Sequence, residues 1–205
     1  MTKISSPTDW LNLATSKDRA YPNLRAPYRD TDYTVATDGK RIHIVSSEKI
    51  EKGFSLSGED VDFPSWRDVL PNNSDRLLAS FSLLLAADDR KFLIGTSKFL
   101  KNNYCPGVTI CKFGAVEISF GASHGKQFDL KFALRIANVK GDIQSIIDSQ
   151  SSCIDLEYLT DATANKEGEG IFTISWYQGG QVLIEHDEGH CKAVVMAMRA
   201  PRPEA

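Results

Sequence analysis

Cysteine is scarce and irregularly placed in this chain: Cys105, Cys111, Cys153 and Cys191 are the only four in 205 residues. A chain of this length can bury a sizeable core without cross-links, so the spacing argues against a disulfide scaffold and for reduced thiols. Long apolar runs are missing as well. No stretch reaches the roughly 20 residues of a membrane-crossing helix, and Met1-Thr2-Lys3-Ile4-Ser5-Ser6-Pro7 lacks the apolar centre of a signal peptide. A cytoplasmic location is expected. Basic charge is not in excess: 24 Lys and Arg stand against 27 Asp and Glu, for a net charge of -3. That argues against a surface that grips nucleic acid everywhere, and leaves room for a local basic face.

Catalytic signatures are also lacking. Gly121-Ala122-Ser123-His124-Gly125-Lys126-Gln127 has neither the spacing of a phosphate-binding loop nor the hydroxyl residue after its lysine. His186-Asp187-Glu188-Gly189-His190-Cys191 sets two histidines one helical turn apart, but the glutamate is displaced from the first and Gly189 interrupts any helix. A hairpin loop suits it better than a zinc site. With no nucleophile and base in a recognisable pattern, the chain reads as a non-enzyme with no metal and no cofactor.

What is present is a helix-then-strands order that occurs three times, the pattern of an α+β fold. Ser6-Pro7-Thr8-Asp9 is a helix start, and the spacing predicts a helix over 7–17 with Trp10, Leu11, Leu13 and Ala14 inward. Two β runs carrying Tyr33, Val35, Ile42 and Ile44 turn at Asp38-Gly39. A polar connection over 46–58 leads to Asp62-Phe63-Pro64-Ser65-Trp66-Arg67-Asp68-Val69-Leu70-Pro71, an apolar crossing stiffened by its prolines. A strand is predicted over 76–84 and a helix over 88–102, with Phe92, Leu93, Phe99 and Leu100 as its apolar face. Strands over 108–113, 116–120 and 128–132 precede a further helix over 134–148. The last third reads as strands at 154–159, 171–177, 182–186 and 192–198 around a solvent loop over 160–170.

Three segments carry a resemblance. Thr37-Asp38-Gly39-Lys40-Arg41-Ile42 follows Val35-Ala36, Phe63 to Pro71 forms the crossing, and Val194-Val195-Met196-Ala197-Met198-Arg199-Ala200 forms the last strand. In that order they resemble the Thr-Asp-Gly-His-Arg-Leu, Phe-Pro-Asp-Tyr-Arg-Arg-Val-Leu-Pro and Val-Val-Met-Pro-Met-Arg-Leu segments of the bacterial replicative sliding clamp, the DNA polymerase III beta chain. Lys40 replaces the histidine, Asp68 the second arginine and Ala197 the proline. The resemblance covers most of the chain and implies a shortened clamp: a half domain over 1–60, a connector over 61–71, a complete clamp-type domain over 72–200 and a disordered tail over 201–205.

The resemblance implies a sliding-clamp architecture, with helices lining a ring and sheets outside it. It also implies a peptide groove where the domains meet. Thr37, Gly39, Arg41 and Ile42 would form one wall, Pro64 and Val69 the floor, and Val194, Met196, Met198 and Arg199 the other wall. The thioether side chains suit a groove that accepts varied apolar residues; the competing reading makes Val194, Met196 and Met198 an ordinary core face. DNA polymerase and other proteins with clamp-binding peptides would dock there. A clamp also attracts duplex DNA without reading its sequence. Arg90, Lys91, Lys98 and Lys101 are the candidates for that face, with Lys17, Arg19, Arg135 and Lys140 as weaker ones. Family rings are lined by about twelve helices, so three per chain implies a homo-oligomeric ring of four, closed by symmetry and placed by a clamp-loader ATPase if one is required. The alternative is a decoy or adaptor that binds clamp-binding peptides without encircling DNA.

Overall fold

Ser6 starts the first helix as the sequence predicts: its hydroxyl accepts the Asp9 N–H (3.2 Å), and proline takes the first turn of α1 (Pro7–Asn12). The helix stops five residues before Lys17. Thr15 donates its hydroxyl to the Asn12 carbonyl (2.9 Å) and the Ser16 N–H goes to Leu24 (2.8 Å), so side-chain and tertiary partners take over from the helical ladder. Trp10, Leu11 and Ala14 are buried. The computed structural model describes residues 4–51, 54, 56, 62–100, 104–110, 116–122, 128–149, 151–164, 169–186 and 189–198.

Three strands follow, β1 (Tyr28–Arg29), β2 (Tyr33–Thr37) and β3 (Arg41–Ser46). At the β2–β3 turn the Asp38 carboxylate accepts the N–H groups of Lys40 (3.0 Å) and Arg41 (3.2 Å), while Gly39 takes φ +88°, a conformation glycine adopts without steric cost. The crossing forms a short 3₁₀ turn, Trp66–Val69. Beyond it come β4 (Leu77–Leu85), α2 (Ala87–Leu100), β5 (Tyr104–Ile110), β6 (Val116–Ala122), β7 (Phe128–Gly141), α3 (Ile143–Ile147), β8 (Cys153–Asp155), α4 (Leu156–Ala162), β9 (Gly170–Tyr177), β10 (Gln181–His186) and β11 (Cys191–Met196).

Two predicted elements change type. The helix expected over 134–148 is the second half of β7 followed by the one-turn α3. Asn138 at φ +53° and Gly141 at φ +80° break any continuous helix, and β4 supplies a ladder for residues 135–141. The strand expected over 154–159 shrinks to β8, because the Asp155 carboxylate accepts the Glu157 N–H (2.7 Å) and caps α4. Leu156, Leu159, Thr160 and Thr163 then bury at helical spacing, and the predicted loop begins only after Ala162.

The strands form a single antiparallel sheet, ordered β1-β2-β3-β11-β10-β9-β4-β7-β6-β5-β8. From β4 onward the chain repeats itself: a leading strand, a helix, then a three-strand meander, once as β4-α2-β5-β6-β7 and again as β8-α4-β9-β10-β11. Each leading strand pairs with the first meander strand of the other repeat, β4 with β9 and β8 with β5. Each also meets the end of its own meander. β4 pairs with the end of β7, while Cys153 of β8 and Met198, just past β11, exchange backbone hydrogen bonds (3.1 and 2.7 Å). The two repeats are thus related by an internal two-fold. α1-β1-β2-β3 supplies a third helix-and-meander unit, joined on through β3 and β11. The main core, with Trp10, Phe81, Leu83, Leu93, Phe172 and Trp176, lies between sheet and helices, and a smaller one gathers Val35, Ile42, Ile44, Trp66 and Val194.

Candidate functional site

β3 and β11 run side by side, Ile42 opposite Val194 and Arg41 opposite Val195, and the Met196 N–H donates to the Lys40 carbonyl (3.1 Å). Side chains alternate across a strand, so Val35, Thr37, Ile42, Ile44, Val194 and Met196 share one face. The structure therefore brings the hairpin and the last strand together. Thr37 is committed to the turn: its hydroxyl donates to the Arg41 carbonyl (2.6 Å) and accepts the Gly39 N–H (3.0 Å).

The connector lies on this face. Trp66 is buried with Ile42 and Val194, and Phe63, Leu70 and Leu183 pack around them. Its indole N–H donates to the Asp30 carboxylate (3.1 Å), which also pairs with Arg67, and the Arg67 guanidinium lies 4.4 Å from the Trp66 ring centre. The Arg67 hydrogen bond holds the Asp30 carboxyl below its usual range. Tyr33 meets Trp66 edge-on, and Tyr28 stacks on Phe63. Ile42 and Val194 are thereby covered, while Met196 stays 40% exposed and Met198 37%; Gly39, Pro64 and Val69 are also exposed. Met198 is set at β8 through its bridge to Cys153. Arg199 lies outside the described residues.

Arg41 departs from expectation. Alternation turns it to the opposite face from Ile42, where its guanidinium donates to Asp161 (2.6 Å), Asp38 (3.1 Å) and the Leu13 carbonyl (2.7 Å), beneath the Tyr158 ring. It is buried and ties the hairpin, the end of α1 and α4 together, so it is no groove wall. Burial pushes the Asp161 carboxyl up against the opposing pull of Arg41, and pushes the Tyr158 hydroxyl up to about 12.

The basic face of α2 also divides. Lys91 and Lys98 are exposed, and Lys91 pairs with Asp88 at 2.9 Å. Arg90 is not with them: it is 7% exposed on the face shared with Leu93 and Ser97, and its guanidinium donates to the Thr163 carbonyl (3.4 Å). The i, i+3, i+7 spacing of these three residues sets the inward face, which turns Phe92 and the 75%-exposed Phe99 outward, against the apolar face predicted for them. Lys101 lies outside the described residues. Lys17 and Arg19 are exposed beyond α1, and Arg135 and Lys140 are exposed on β7, which is a strand. α4 carries Glu157 and Asp161 and no lysine or arginine.

The strongest departure from solution chemistry is His43. It is fully buried, stacks on Trp10 at 4.0 Å and donates Nδ1–H to the Trp10 carbonyl (3.0 Å), leaving Nε2 without a hydrogen-bond partner among the described residues. Burial is the main cause that lowers its pKa to about 3, aided by Arg41 and His186. His186 meets Trp10 and Phe172 edge-on and contacts the Ala162 carbonyl through Nε2 (3.1 Å). His186 ends β10 and Cys191 begins β11; Asp187 and Glu188 lie outside the described residues. A cleft of about 760 Å³ opens beside this cluster, between Trp10, Leu85, Asp89, Arg135, Phe172 and His186, away from the β3–β11 face.

Sequence reasoning missed Trp66 as the cover of that face, together with Asp30 and Leu183. The tryptophan in a proline-bracketed crossing was the available signal, since a large aromatic there needs a surface to bury against.

No family model and no curated protein matches the chain. Solved structures do. It is similar to DNA polymerase III subunit beta from Borrelia burgdorferi in complex with a natural product, at TM-score 0.63 and 12% identity, over 96% of this chain and 62% of that one. It is similar to the beta chain from Streptococcus pneumoniae at TM-score 0.62 and 12% identity, over 94% and 62%. A DnaN sliding clamp from Bartonella birtlesii bound to griselimycin aligns at TM-score 0.61 and 15% identity, over 94% and 63%. The chain thus spans about three fifths of the length of these proteins, and over that length its fold is that of the bacterial DNA polymerase III beta sliding clamp.

Proposed function

We propose that this protein is a DNA sliding clamp: a non-enzymatic processivity factor that assembles into a ring around duplex DNA and tethers a DNA polymerase and other proteins through an apolar peptide groove. The observation that carries the reading is the β3–β11 seam, where the clamp-like hairpin, connector and last strand meet with Met196 and Met198 exposed beside a buried apolar base. The accessible groove is then Met196, Met198, Val69 and Pro64, with Trp66 closing the side over Ile42 and Val194. The domain division at the connector follows from the same reading, as does a DNA-facing α2 presenting Lys91 and Lys98.

Griselimycin, bound by the similar clamp from Bartonella birtlesii, is the probe for the groove. Titrated calorimetrically, it is expected to bind the wild type, and Met196→Asp is expected to weaken it at least about tenfold, because a desolvated carboxylate replaces an adaptable apolar contact. Equal affinity in both proteins, or none in the wild type, contradicts the groove.

The adaptor reading has its own support. α4 is acidic, Arg90 points inward and Lys91 is paired, so the helix charge available to phosphates is modest. An adaptor keeps griselimycin binding sensitive to Met196 and is indifferent to Lys91 and Lys98.

A further inference from the structure

Taking the groove of the clamp reading as a peptide site, we infer that Lys40 sets its partner chemistry: it selects a peptide with a carboxylate next to the apolar side chain seated on Met196. Strand register places the residues. β3 and β11 pair with Arg41 opposite Val195, and one step further the Met196 N–H donates to the Lys40 carbonyl (3.1 Å), so Lys40 stands across from Met196. On the other side of β11, β10 sets Gln181 opposite Met196. Opposed residues of antiparallel strands project to the same face. Lys40, Met196 and Gln181 therefore form one row across three strands, with a cation and an amide flanking a thioether.

The neighbouring rows are closed. Ile42, Val194 and Leu183 come next and pack with Trp66. Beyond them Lys192 stands between Ile44 and Glu185, and its ammonium pairs with the Glu185 carboxylate (2.8 Å). Of the two cations at the hairpin, Arg41 is held on the opposite face by Asp38 and Asp161. Lys40 is exposed, and its ammonium has no ion-pair partner among the described residues. Gln181 is half-buried, and its amide oxygen has no hydrogen-bond partner among them either. Turning that amide toward a bound main chain breaks no existing hydrogen bond.

The thioether of Met196 adapts to many apolar shapes, so it discriminates little between them. Charge is left to discriminate. An apolar side chain laid on Met196 brings the adjoining peptide residues up to the Lys40 ammonium. A carboxylate there is attracted, and a second cation is repelled at close range.

Peptide selection tests it, with the full-length chain and a displayed library of random octapeptides. Those displaced from the wild type by griselimycin are sequenced, and Asp or Glu is expected to be enriched next to an apolar residue. The most enriched peptide is then titrated calorimetrically, as selected and with its acidic residue changed to lysine. The wild type is expected to prefer the acidic form at least about tenfold, and added salt to narrow the gap. Lys40→Glu is expected to reverse the preference, which a merely misfolded groove does not do. Gln181→Ala is expected to weaken both forms alike. Displaced peptides without acidic enrichment, or a preference that Lys40→Glu leaves in place, overturn the role of Lys40 and keep the groove. A library from which griselimycin displaces nothing overturns the groove reading, and the role of Lys40 with it.

Discussion

At the scale of single residues, the chemistry concentrates where α1 meets the sheet. Trp10 is stacked on His43, met edge-on by His186, and its indole N–H donates to the Asp161 carbonyl (3.0 Å). The same Asp161 accepts Arg41 through its carboxylate. A buried arginine on three acceptors is costly to disturb, since removing either partner leaves an uncompensated group. His43 gives this cluster a pH dependence with a defined sign. Its folded pKa is about 3, against an ordinary 6.5, so protons bind the unfolded chain first and stability falls as pH drops below 6.5. By linkage the loss attributable to His43 is about 1.4 kcal/mol between pH 7.5 and 5.5. Urea unfolding at the two pH values measures it, and His43→Gln is expected to remove that share of the drop. An equal drop in both proteins assigns it elsewhere.

At the scale of elements, β7, which closes the first repeat, was the least legible in the sequence. Ile136, Val139, Ile143, Ile146 and Ile147 fit helical spacing, yet β4 claims residues 135–141, and the chain leaves that ladder through Gly141. A Cβ at Gly141 stands 2.5 Å from the Leu78 carbonyl oxygen, the same oxygen that accepts the Asp142 N–H at 3.0 Å, and φ is +80°. Gly141→Ala is therefore expected to cost about 2 kcal/mol in urea unfolding. Gly95→Ala, mid-helix with open space around it, is expected to be neutral or to gain up to about 1 kcal/mol. Equal effects at the two sites contradict the register of β7 on β4.

The hairpin at Asp38-Gly39, β4, α2 and the final meander were legible because turn chemistry and periodicity agree there. α4 was not: Asp155 as cap and Leu156, Leu159, Thr160 and Thr163 at helical spacing were present, but Cys153-Ile154 reads as the start of a longer strand. At the candidate site, the segments that meet were visible from the resemblance. Their facing was not. Arg41, Ile42, His43, Ile44 and Val45 are all buried, so alternation of polar and apolar residues does not mark which side of β3 carries the seam. The inward turn of Arg90 was hidden for a related reason, since its place beside Lys91 in sequence says nothing about its place around the helix.

At the scale of the whole molecule, the clamp proposal on a chain of net charge -3 calls for an attraction to DNA that is local. Under that proposal α2 would offer Lys91 and Lys98 for the role, and the acidic α4 packed beside it would keep the attraction weak, as sliding requires. The chain spans about three fifths of the length of the solved clamps it resembles, so under the proposal subunit number would decide ring closure, and one oligomer would account for both mass and DNA binding. The most direct measurement is retention on nicked circular DNA before and after linearisation, supplied with a loader ATPase if loading needs one and read beside the mass by light scattering. The account predicts a multimer that stays on circles, leaves linear ends, and is retained less when Lys91→Glu and Lys98→Glu are combined. A monomer that circles and linear DNA hold equally poorly, unchanged by the two lysine substitutions, contradicts the clamp and favours the adaptor.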